Sequence, residues 1–490
     1  MPMPKKFYIT NAIPYVNAWP HMGHALEIVE SDVLARWHRL AGDDVRFLWG
    51  TDDNSLKNLQ AAEREGVSTQ KLVAKYAQIF QNLAKPKSLN LSFDDFICTS
   101  TDPRHIVGAQ KLWRACLAKG DVYKKQYKGL YCIGCEQFYT PDELTEGFCP
   151  EHNKPLEAVE EENYFFRLSK YADQLKKIIN SNELNIIPSV RRNEMLAFIE
   201  RGLEDFSISR SIKRARGWGV PVPDDESQIM YVWFDALSCY INALDYGSEG
   251  ELYKKYWLEG DSRVHLIGKG ITRFHAIYWP AMLLSAGVSL PTNIIVHGYI
   301  ASGGQKMSKS LGNVIDPRDL ISEYGTDALR YILTREVSMF EDSDLNPARI
   351  RESYNAHLAN GLGNLASRIM KMAETHLDKP VSQGEASGKP GGLAFEPEFT
   401  GLMEGYEIQK ACDFIWAKIG ELDVEIQKTE PFKLVKTLPN EAKKLMAGQV
   451  VKLYTIAHML NSSLPATSQK IKDAIKANKS FSTPLFPRKD

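Results

Sequence analysis

Strand-like and helix-like segments alternate near the N-terminus and again before residue 300, which predicts a doubly wound α/β fold. FYIT at 7–10 and VRFLW at 45–49 have the composition of short buried strands, and apolar residues recur at helical spacing over 24–40 between them. A strand, a helix and a strand in succession indicate a parallel unit, because parallel neighbours need a crossover connection. The predicted class is therefore α/β with a parallel sheet.

The second half of the predicted sheet follows a stretch of different character. Residues 117–228 are rich in Tyr, Gly and Cys and then in charged helical sequence. After them RVHLIG (263–268), a helix over 271–285 and NIIVHGYI (293–300) restore the alternation, so we interpret 117–228 as an insertion. In the C-terminal part we expect helices without strands, joined by a Gly-, Pro- and Ser-rich loop at 382–392. The predicted boundaries are 1–116 and 229–300 for the two halves of the α/β domain, 117–228 for the insertion, 301–345 for a connecting region and 346–490 for an all-α helical bundle.

The composition is that of a soluble globular protein. The 490 residues carry 60 Lys and Arg against 61 Asp and Glu, so a nucleic-acid partner would have to be held by local patches. No apolar stretch approaches the roughly 18 residues that span a bilayer, and the start MPMPKKFYIT has no apolar core of signal-peptide length. We therefore expect a cytoplasmic protein with no membrane association. Seven cysteines without a secretory signal do not suggest a disulfide framework.

The segment PHMGH at 20–24 lies between the first predicted strand and the first predicted helix, at the edge where parallel sheets bind ligands. The N-terminus of a helix offers N–H groups and a positive dipole to a phosphate. Gly23 lets a base or ribose approach the backbone closely, and His21 and His24 are candidate donors to phosphate oxygens. The alternative is a pair of histidines that only cap the helix.

A second charged segment, KMSKS at 306–310, lies in the Gly-rich string ASGGQKMSKSLGN. Lys306 and Lys309 bring positive charge, and the serines bring hydroxyl donors, which suits the negative charge of a triphosphate. The alternative is a charged surface loop. The sequence has no GxxxxGK[ST] string, so the P-loop route to ATP is excluded.

The HxGH string, KMSKS and the helical C-terminal part together resemble class I aminoacyl-tRNA synthetases. Further strings are similar to those of the methionyl-tRNA synthetase family in particular, in the family's order. They are NAIPY (11–15), GTDD (50–53), YVWFDA (231–236) and HLIGKGITRFHAIYWPA (265–281), and the resemblance covers residues 7–435.

The resemblance implies a Rossmann-type catalytic domain and a ligase activity. Methionine would react with ATP, accompanied by Mg²⁺, to give methionyl-adenylate and pyrophosphate. The methionyl group would then pass to the 3′-terminal ribose of tRNA(Met), initiator and elongator alike. This chemistry needs no protein nucleophile, so positioning and charge stabilisation would carry it. The predicted catalytic residues are His21, His24, Lys306 and Lys309, and the predicted ATP-binding residues are these four with Gly23, Met307 and Ser308.

The resemblance also implies a pocket for the amino acid L-methionine. Such a pocket has to hold an unbranched thioether and an ammonium group, which aromatic walls with few polar groups can do. Asp52 would bind the ammonium, because a carboxylate is the natural partner of a cation. Taken singly, each aromatic residue is more typical of a plain core. The implied methionine-binding residues are Ile13, Tyr15, Asp52, Arg210 in a covering flap, Trp233, Ala236, Leu237, Tyr240, Ile271, Phe274 and His275.

Three positions near this pocket depart from the family pattern. Asn54 stands where the family usually has histidine, and we assign it no role. Leu237 replaces a proline, which alters an apolar wall without making it polar. Gly270 stands where an aspartate is common, so a contact from that carboxylate is either missing or supplied by another residue.

The spacing Cys132-x2-Cys135-x13-Cys149-x2-His152 predicts a zinc knuckle within about 128–165. Three thiolates and one imidazole complete a tetrahedral site, and a site with four protein ligands is structural. The alternative is three unrelated buried cysteines.

The insertion is also too short for a separate hydrolytic editing domain, so a second sieve for wrong amino acids is not expected.

The string NGLGNLASR puts Asn360, Asn364 and Arg368 at i, i+4 and i+8, hence on one helix face. The resemblance implies that this face, with Pro431 and Phe432, binds the anticodon, since amides read base edges and arginine adds stacking and charge. Most relatives have tryptophan where Phe432 stands. Phenylalanine keeps a face for stacking but lacks the N–H donor of the indole. The alternative is a helix with ordinary polar surface residues.

Two other functions are alternatives for these motifs. A smaller-substrate adenylyltransferase also uses an HxGH loop but would not need the helical part after KMSKS. A zinc-containing RNA-binding module without catalysis would not need HMGH, KMSKS and Asp52 together. The end FPRKD carries no appended tRNA-binding or dimerising domain, so we expect a monomer.

Overall fold

The computed structural model of the chain describes residues 4–132, 137–139, 141–150, 153–302, 305–306, 315–381 and 395–490. The chain divides into two compact units, each assembled from segments that are distant in sequence. Unit 1 comprises Met1–Pro20, Gly42–Ala84 and Ser92–His297, and unit 2 comprises His21–Ala41, Lys85–Leu91 and Gly298–Asp490.

Strands are concentrated in unit 1. In chain order they are β1 (Lys6–Asn11), β2 (Asp44–Thr51), β3 (Asp95–Cys98), β4 (Val122–Cys132), β5 (Gln137–Tyr139), β6 (Glu157–Phe166), β7 (Asn185–Ile187), β8 (Phe206–Ser207), β9 (Ser209–Ser211), β10 (Gln228–Met230), β11 (Ser262–Gly268), β12 (Asn293–His297), β13 (Ile300–Ser302), β14 (Gln305–Lys306) and β15 (Ser343–Asp344).

Some α-helices begin at a side-chain cap: Asp102 accepts from the Arg104 N–H before α4, and Ser55 accepts from the Lys57 N–H before α2. In order the helices are α1 (Met22–Ala41), α2 (Leu56–Glu65), α3 (Thr69–Gln81), α4 (Pro103–Ala118), α5 (Ala172–Asn180), α6 (Ser189–Glu200), α7 (Ile212–Ala215), α8 (Val232–Asn242), α9 (Glu251–Tyr253), α10 (Trp279–Ala286), α11 (Pro317–Tyr324), α12 (Thr326–Tyr331), α13 (Pro347–Ser353), α14 (Asn364–His376), α15 (Pro397–Glu404), α16 (Ile408–Thr429), α17 (Pro431–Leu434), α18 (Pro439–Leu460) and α19 (Pro465–Ala477).

A six-stranded parallel sheet in the order β3-β2-β1-β11-β12-β7 forms the centre of unit 1. The predicted strands 7–10, 45–49 and 263–268 lie in β1, β2 and β11, so the predicted parallel sheet is confirmed. β7 is the edge strand and comes from 185–187, inside the range predicted as an insertion. That range therefore also completes the main sheet. Four of its other strands form an antiparallel sheet in the order β5-β4-β6-β8, and β9 pairs with β10 in a two-stranded sheet.

Helices α4 and α8 belong to the same buried core as the parallel sheet, with Trp113, Phe234 and Trp279 fully buried among them. The predicted helix over 271–285 is less regular than expected. A short 3₁₀ turn at Lys269–Ile271 and a π-helical turn at Phe274–Tyr278 precede α10. The wider π turn changes which side chains share a face, and such turns are frequent at functional sites.

Unit 2 consists mainly of helices, as predicted for the C-terminal part. It also includes α1, on which the buried Asp32 forms an ion pair of 2.8 Å with Arg330. Arg330 Nε further donates to Ser463 O at 2.7 Å, and Nη1 donates to Leu89 O at 3.0 Å. The helix that begins with HMGH therefore belongs to the same compact unit as β14, where KMSKS begins.

The loop predicted at 382–392 lies outside the described residues. Within the parts of the chain that the structure describes, no helix has both the length and the apolar character needed to cross a bilayer.

Candidate active site

Asp52 follows β2 directly and is held close to the chain that follows β1. Its backbone N–H donates to Pro14 O at 2.9 Å, and Asp52 forms a parallel bridge with Tyr15. Asn58 Nδ2 supports the loop by donating to Asp52 O at 2.8 Å. Only 3% of Asp52 is exposed, so this carboxylate lies in a protected place at the carboxyl edge of the sheet.

Helix α8 and the π-helical turn build an aromatic wall in the same unit. The rings of Trp233 and Phe274 are stacked with centroids 3.9 Å apart and planes 3° from parallel. The loop that carries Asp52 also lies beside α8, because Asn54 Nδ2 donates to Asp235 Oδ2 at 2.7 Å. The structure thus brings the predicted ammonium-binding residue and the predicted aromatic wall into one region.

Tyr240 and His275 form a buried polar pair in this wall. His275 Nδ1 lies 3.0 Å from Ile271 O, which can only accept, so Nδ1 carries the proton. His275 Nε2 therefore accepts from Tyr240 Oη at 2.7 Å. Burial lowers the pKa of His275 to about 4, so the imidazole is neutral at pH 7. The pair presents no net charge to an apolar substrate group.

The remaining predicted pocket residues also lie in unit 1. Ala236 and Leu237 are buried on α8, and Ile13 is partly buried against the core. Gly270 lies in the 3₁₀ turn before the π-helical turn. Arg210 packs with its guanidinium carbon 4.2 Å from the Tyr231 ring centroid, while its Nη1 donates to Ser209 O at 2.6 Å.

His21 and His24 stack on one another at the start of α1, in unit 2, with ring centroids 3.7 Å apart. Each Nδ1 accepts from a backbone N–H, that of Gly23 for His21 at 3.1 Å and that of His21 for His24 at 3.2 Å. The proton of each neutral ring is therefore on Nε2. Burial, and then the His21 imidazole, lower the pKa of His24 well below its usual value. Both rings can act as neutral N–H donors.

Gly23 leaves room for the stacked ring of His21, a contact that the sequence did not show. A Cβ at this position would lie 3.0 Å from Cε1 of His21, so the ring would have to shift by a few tenths of an ångström to admit it. Of KMSKS the structure describes only the backbone of Lys306, which pairs with Ala301 in the β13–β14 hairpin. Met307, Ser308 and Lys309 lie outside the described residues.

Comparison with known proteins identifies the family of this site. The family model described as tRNA synthetases class I (M) matches residues 7–158 and 152–370. The methionine–tRNA ligase of Brucella melitensis is 40% identical over 484 residues, 96% of this chain and 92% of the relative. The methionine–tRNA ligase of Thermotoga maritima is 40% identical over 477 residues, 95% and 74% of the two chains. This chain belongs to the methionine–tRNA ligase family of class I tRNA synthetases.

A solved structure supports the same conclusion for the fold. The Mycobacterium tuberculosis methionyl-tRNA synthetase in complex with methionyl-adenylate matches with a TM-score of 0.87 and 37% sequence identity, over 96% of this chain and 93% of that one. The predicted class I synthetase fold is confirmed. As a methionine–tRNA ligase, the enzyme activates methionine with ATP and charges tRNA with it.

Two of the four predicted zinc ligands are described. Cys132 ends β4, and Cys149 lies between β5 and β6; both are buried in one small cluster with Tyr139. Cys135 and His152 lie outside the described residues, and among the described ones no group of three or more His, Cys, Asp or Glu could hold a metal ion. The two described thiols fit a common thiophilic ion, because they come from both predicted knuckles yet share one cluster.

The predicted anticodon residues lie in unit 2 on a helix that is not α-helical throughout. Residues Tyr354–Gly363 form a π-helix that continues into α14, so Asn360 lies on the π part and Asn364 and Arg368 on the α part. In an α-helix, a side chain four residues further on is rotated about 40° past the first, which applies to Asn364 and Arg368. In the wider π-turn four residues do not complete a turn, so Asn364 is rotated the opposite way relative to Asn360. The three side chains are therefore aligned more closely than they would be on a pure α-helix. Asn360 and Asn364 are exposed.

Arg368 and Phe432 complete the description of this face. Arg368 Nη1 pairs with Asp423 Oδ1 on α16 at 2.7 Å. Phe432 lies on α17 and is 44% exposed, whereas Pro431 before it is buried. An exposed aromatic ring is available to stack with a base.

Sequence reasoning missed a buried polar network beside the pocket. Asn54, to which no role was assigned, donates from Nδ2 to Asp235 Oδ2 at 2.7 Å. His105 Nε2 bonds the other oxygen of the same carboxylate. The only signal available in the sequence was that Asp235 stands inside YVWFDA, between two residues of the predicted wall.

Proposed function

We propose that the region of Asp52 and α8 binds the methionine that the enzyme activates. The observation that carries this proposal is the buried Asp52 carboxylate in a loop bonded to α8, the helix whose Trp233 stacks on Phe274. The carboxylate would hold the ammonium group, since an opposite charge in a protected site is a strong partner for it. Arg210, packed on Tyr231, would form the covering side of the pocket.

The aromatic wall would select the side chain. Methionine is unbranched and its polarizable sulfur makes favourable contacts with aromatic rings, so stacked Trp233 and Phe274 suit it. Tyr240 and His275 are hydrogen-bonded to each other and uncharged, so they would not stabilise a charged side chain in the pocket. Ile13, Tyr15, Ala236, Leu237 and Ile271 would supply the remaining contact area.

Trp233→Ala tests this pocket. ATP–pyrophosphate exchange is measured with each of the twenty amino acids. We expect the wild type to respond to methionine alone, and the variant to lose roughly 10-fold or more in discrimination against other apolar amino acids, because one apolar contact is worth about 10–200-fold. Trp233→Phe is the matched control, since it keeps a ring to stack on Phe274. Unchanged discrimination in Trp233→Ala would show that this wall does not contact the substrate.

His21 and His24 are proposed to bind the phosphates of ATP. Their Nε2–H groups would donate to the oxygens on which charge develops when the methionine carboxylate attacks the α-phosphate and pyrophosphate leaves. Lys306 and Lys309, with Met307 and Ser308, would bind the same nucleotide. Mg²⁺ would accompany ATP and neutralise part of the phosphate charge.

We also propose one structural Zn²⁺ held by Cys132, Cys135, Cys149 and His152. The burial of Cys132 and Cys149 in one cluster supports it. The ion would cross-link the knuckle, because closed four-ligand zinc sites stabilise folding rather than catalyse. Elemental analysis of the purified protein measures the zinc content directly.

Asn360, Asn364, Arg368, Pro431 and Phe432 are proposed to bind the anticodon of tRNA(Met). The exposed amides, the exposed ring of Phe432 and the nearby guanidinium support this role.

The compartment that we propose is the cytoplasm, where ATP, methionine and tRNA meet. The monomeric state remains a prediction of the sequence.

Phe432→Ala tests the anticodon proposal. We expect the tRNA KM to rise about 5- to 150-fold, since stacking on one base is worth about 1–3 kcal/mol, while ATP–pyrophosphate exchange stays unchanged. Phe432→Trp should keep or improve charging, and Arg368→Ala should reduce the salt dependence of tRNA binding by about one unit of slope. Leu438→Ala, at another exposed apolar residue of unit 2, is the control.

The tRNA itself provides the decisive comparison for that proposal. A tRNA(Met) whose anticodon is changed from CAU should lose most of its charging by the wild type. Equal charging of the altered and the normal tRNA would exclude an anticodon-reading role for this face.

A further inference from the structure

We propose that Asn54 and Asp235 form a positioning link between the ammonium-binding loop and the apolar wall of the methionine pocket. This inference rests on the proposed methionine site and adds two residues that do not themselves need to touch the substrate. Asn54 stands two residues after Asp52, and Asp235 stands between Trp233 and Ala236. A bond between them therefore joins the two parts of the pocket that recognise different ends of the amino acid.

The bond itself is well formed and protected. Asn54 Nδ2 donates to Asp235 Oδ2 at 2.7 Å, across 181 positions of sequence. The same amide lies 3.4 Å from Thr99 O, which orients its second hydrogen. Asp235 is fully buried, so its oxygens have no contact with bulk water in the described structure and depend on protein donors.

The second oxygen of Asp235 is bonded from another direction. His105 Nε2 on α4 bonds Asp235 Oδ1, and both residues are fully buried. Asn242, one turn after Ser238 on α8, donates from Nδ2 to His105 O at 3.1 Å and to Ser238 Oγ at 2.8 Å. The Asp235 carboxylate is thus bonded from two sides, by Asn54 in the ammonium-binding loop and by His105 on α4. These two bonds fix the position of α8 relative to the loop and to α4.

A glycine allows α4 and α8 to approach closely enough for this network. A Cβ on Gly108 would lie 1.9 Å from Asn242 Oδ1, so only a residue without a side chain fits there. The crossing of the two helices is therefore close and leaves α8 little freedom on this side. On the side of α8 that faces the ammonium-binding loop, the helix is held by the bond from Asn54 to Asp235.

The loop does not need Asn54 for its own structure. Asp53 N–H donates to Thr99 Oγ1 at 2.9 Å, and Asp53 Oδ2 accepts from Ser100 Oγ at 2.7 Å. Trp218 Nε1 donates to Asp53 O at 2.7 Å. Loss of the Asn54 bond should therefore leave the loop folded but release it from α8. A displacement of about 1 Å between substrate-binding groups is enough to cost about 100-fold in rate.

Exchange of donor and acceptor tests the link. Asn54→Asp puts two carboxylates face to face, and Asp235→Asn turns an amide towards either the Asn54 amide or the His105 N–H. In the double variant Asn54→Asp/Asp235→Asn, the amide at 235 donates to the carboxylate at 54 while its oxygen accepts from His105. We expect each single change to raise the methionine KM about tenfold or more, because it leaves a buried polar group unsatisfied. The double variant should have a methionine KM closer to the wild type than either single variant, without a full return, because a carboxylate at 54 cannot donate to Thr99 O.

The readout is the methionine KM against the ATP KM in pyrophosphate exchange, with the thermal midpoint of each variant. The ATP KM should stay within about twofold, whereas a general loss of folded protein would lower the maximal rate and leave both KM values unchanged. Asn185→Asp makes the same chemical change on edge strand β7, where Nδ2 donates to Asn293 Oδ1 at 3.1 Å, and should leave the methionine KM unchanged. Asn54→Ser removes the amide donor without adding charge, so it tests the link if the charged variant does not fold.

Three results would overturn the inference: an unchanged methionine KM in the single variants, an equal rise in the methionine and ATP KM, or a double variant no better than the worse single one. Asp52→Ala is measured beside them. If Asp52→Ala also leaves the methionine KM unchanged, the proposed pocket itself is wrong. If Asp52→Ala has its expected effect and the exchange variants do not, only the positioning link is wrong.

Discussion

Asp52→Ala is expected to raise the methionine KM in ATP–pyrophosphate exchange by at least about 30-fold. Only 3% of Asp52 is exposed, so a bound ammonium would have little water to replace the lost carboxylate. Removing one partner of a buried charge pair costs about 2–5 kcal/mol, which corresponds to this range. The loss should affect every methionine-like substrate to the same extent, unlike the loss in Trp233→Ala, because the ammonium is common to all of them.

The neighbouring carboxylate provides a matched control for that experiment. Asp53 is also buried, and burial raises its pKa, but Ser100 Oγ donates to it at 2.7 Å and it holds the loop. Asp53→Asn should therefore change the thermal midpoint more than the methionine KM. An Asp52→Ala enzyme with normal methionine affinity, or equal losses in the two variants, would contradict the assignment of Asp52.

His24→Ala should slow adenylate formation by about 100-fold or more while the methionine KM changes little. Loss of one donor to developing charge costs about 100- to 1,000-fold in kcat. Asn in this position keeps an N–H donor, so His24→Asn should retain part of the rate. His38→Ala, in the last turn of the same helix, is the control. Single-turnover formation of the adenylate separates this step from transfer to tRNA.

The pH dependence of the same rate tests the protonation state of His24. Because burial and His21 lower its pKa well below the usual value, the ring stays neutral as the pH falls from 8 to 6. The rate should therefore show no titration of His24 in this interval. A rate that rises as the pH falls through about 6.5, and no longer does so in His24→Ala, would mean that the imidazolium is the active form.

The local elements of this protein could be predicted well because they depend on nearby residues. The apolar strings at 7–10 and 45–49 became β1 and β2, and the helical spacing over 24–40 became α1. The π-helical turns at Phe274–Tyr278 and Tyr354–Gly363 were not predicted. Periodicity over a few residues does not distinguish a π-turn from an α-turn, and packing against neighbouring elements selects it.

The assignment of segments to compact units was also beyond the sequence. β7, inside the predicted insertion, completes the parallel sheet, and α1 joins unit 2 through the buried pair of Asp32 and Arg330. Strand pairing and buried ion pairs link residues that are hundreds of positions apart. Their partners are chosen by which surfaces exclude water together, and no local pattern encodes that choice.

The sequence by itself determined the parallel α/β class and the family, because alternation of apolar residues and short motifs are local properties. It also indicated the residue types of the site: Asp52, Trp233, His21 and His24 were recognisable from their strings alone. Only the tertiary structure decided the tautomers of the two stacked histidines and the bond from Asn54 to Asp235. A buried polar group must find a donor or acceptor wherever the packing brings one, so its partner is fixed by the folded chain and not by the residues beside it in sequence.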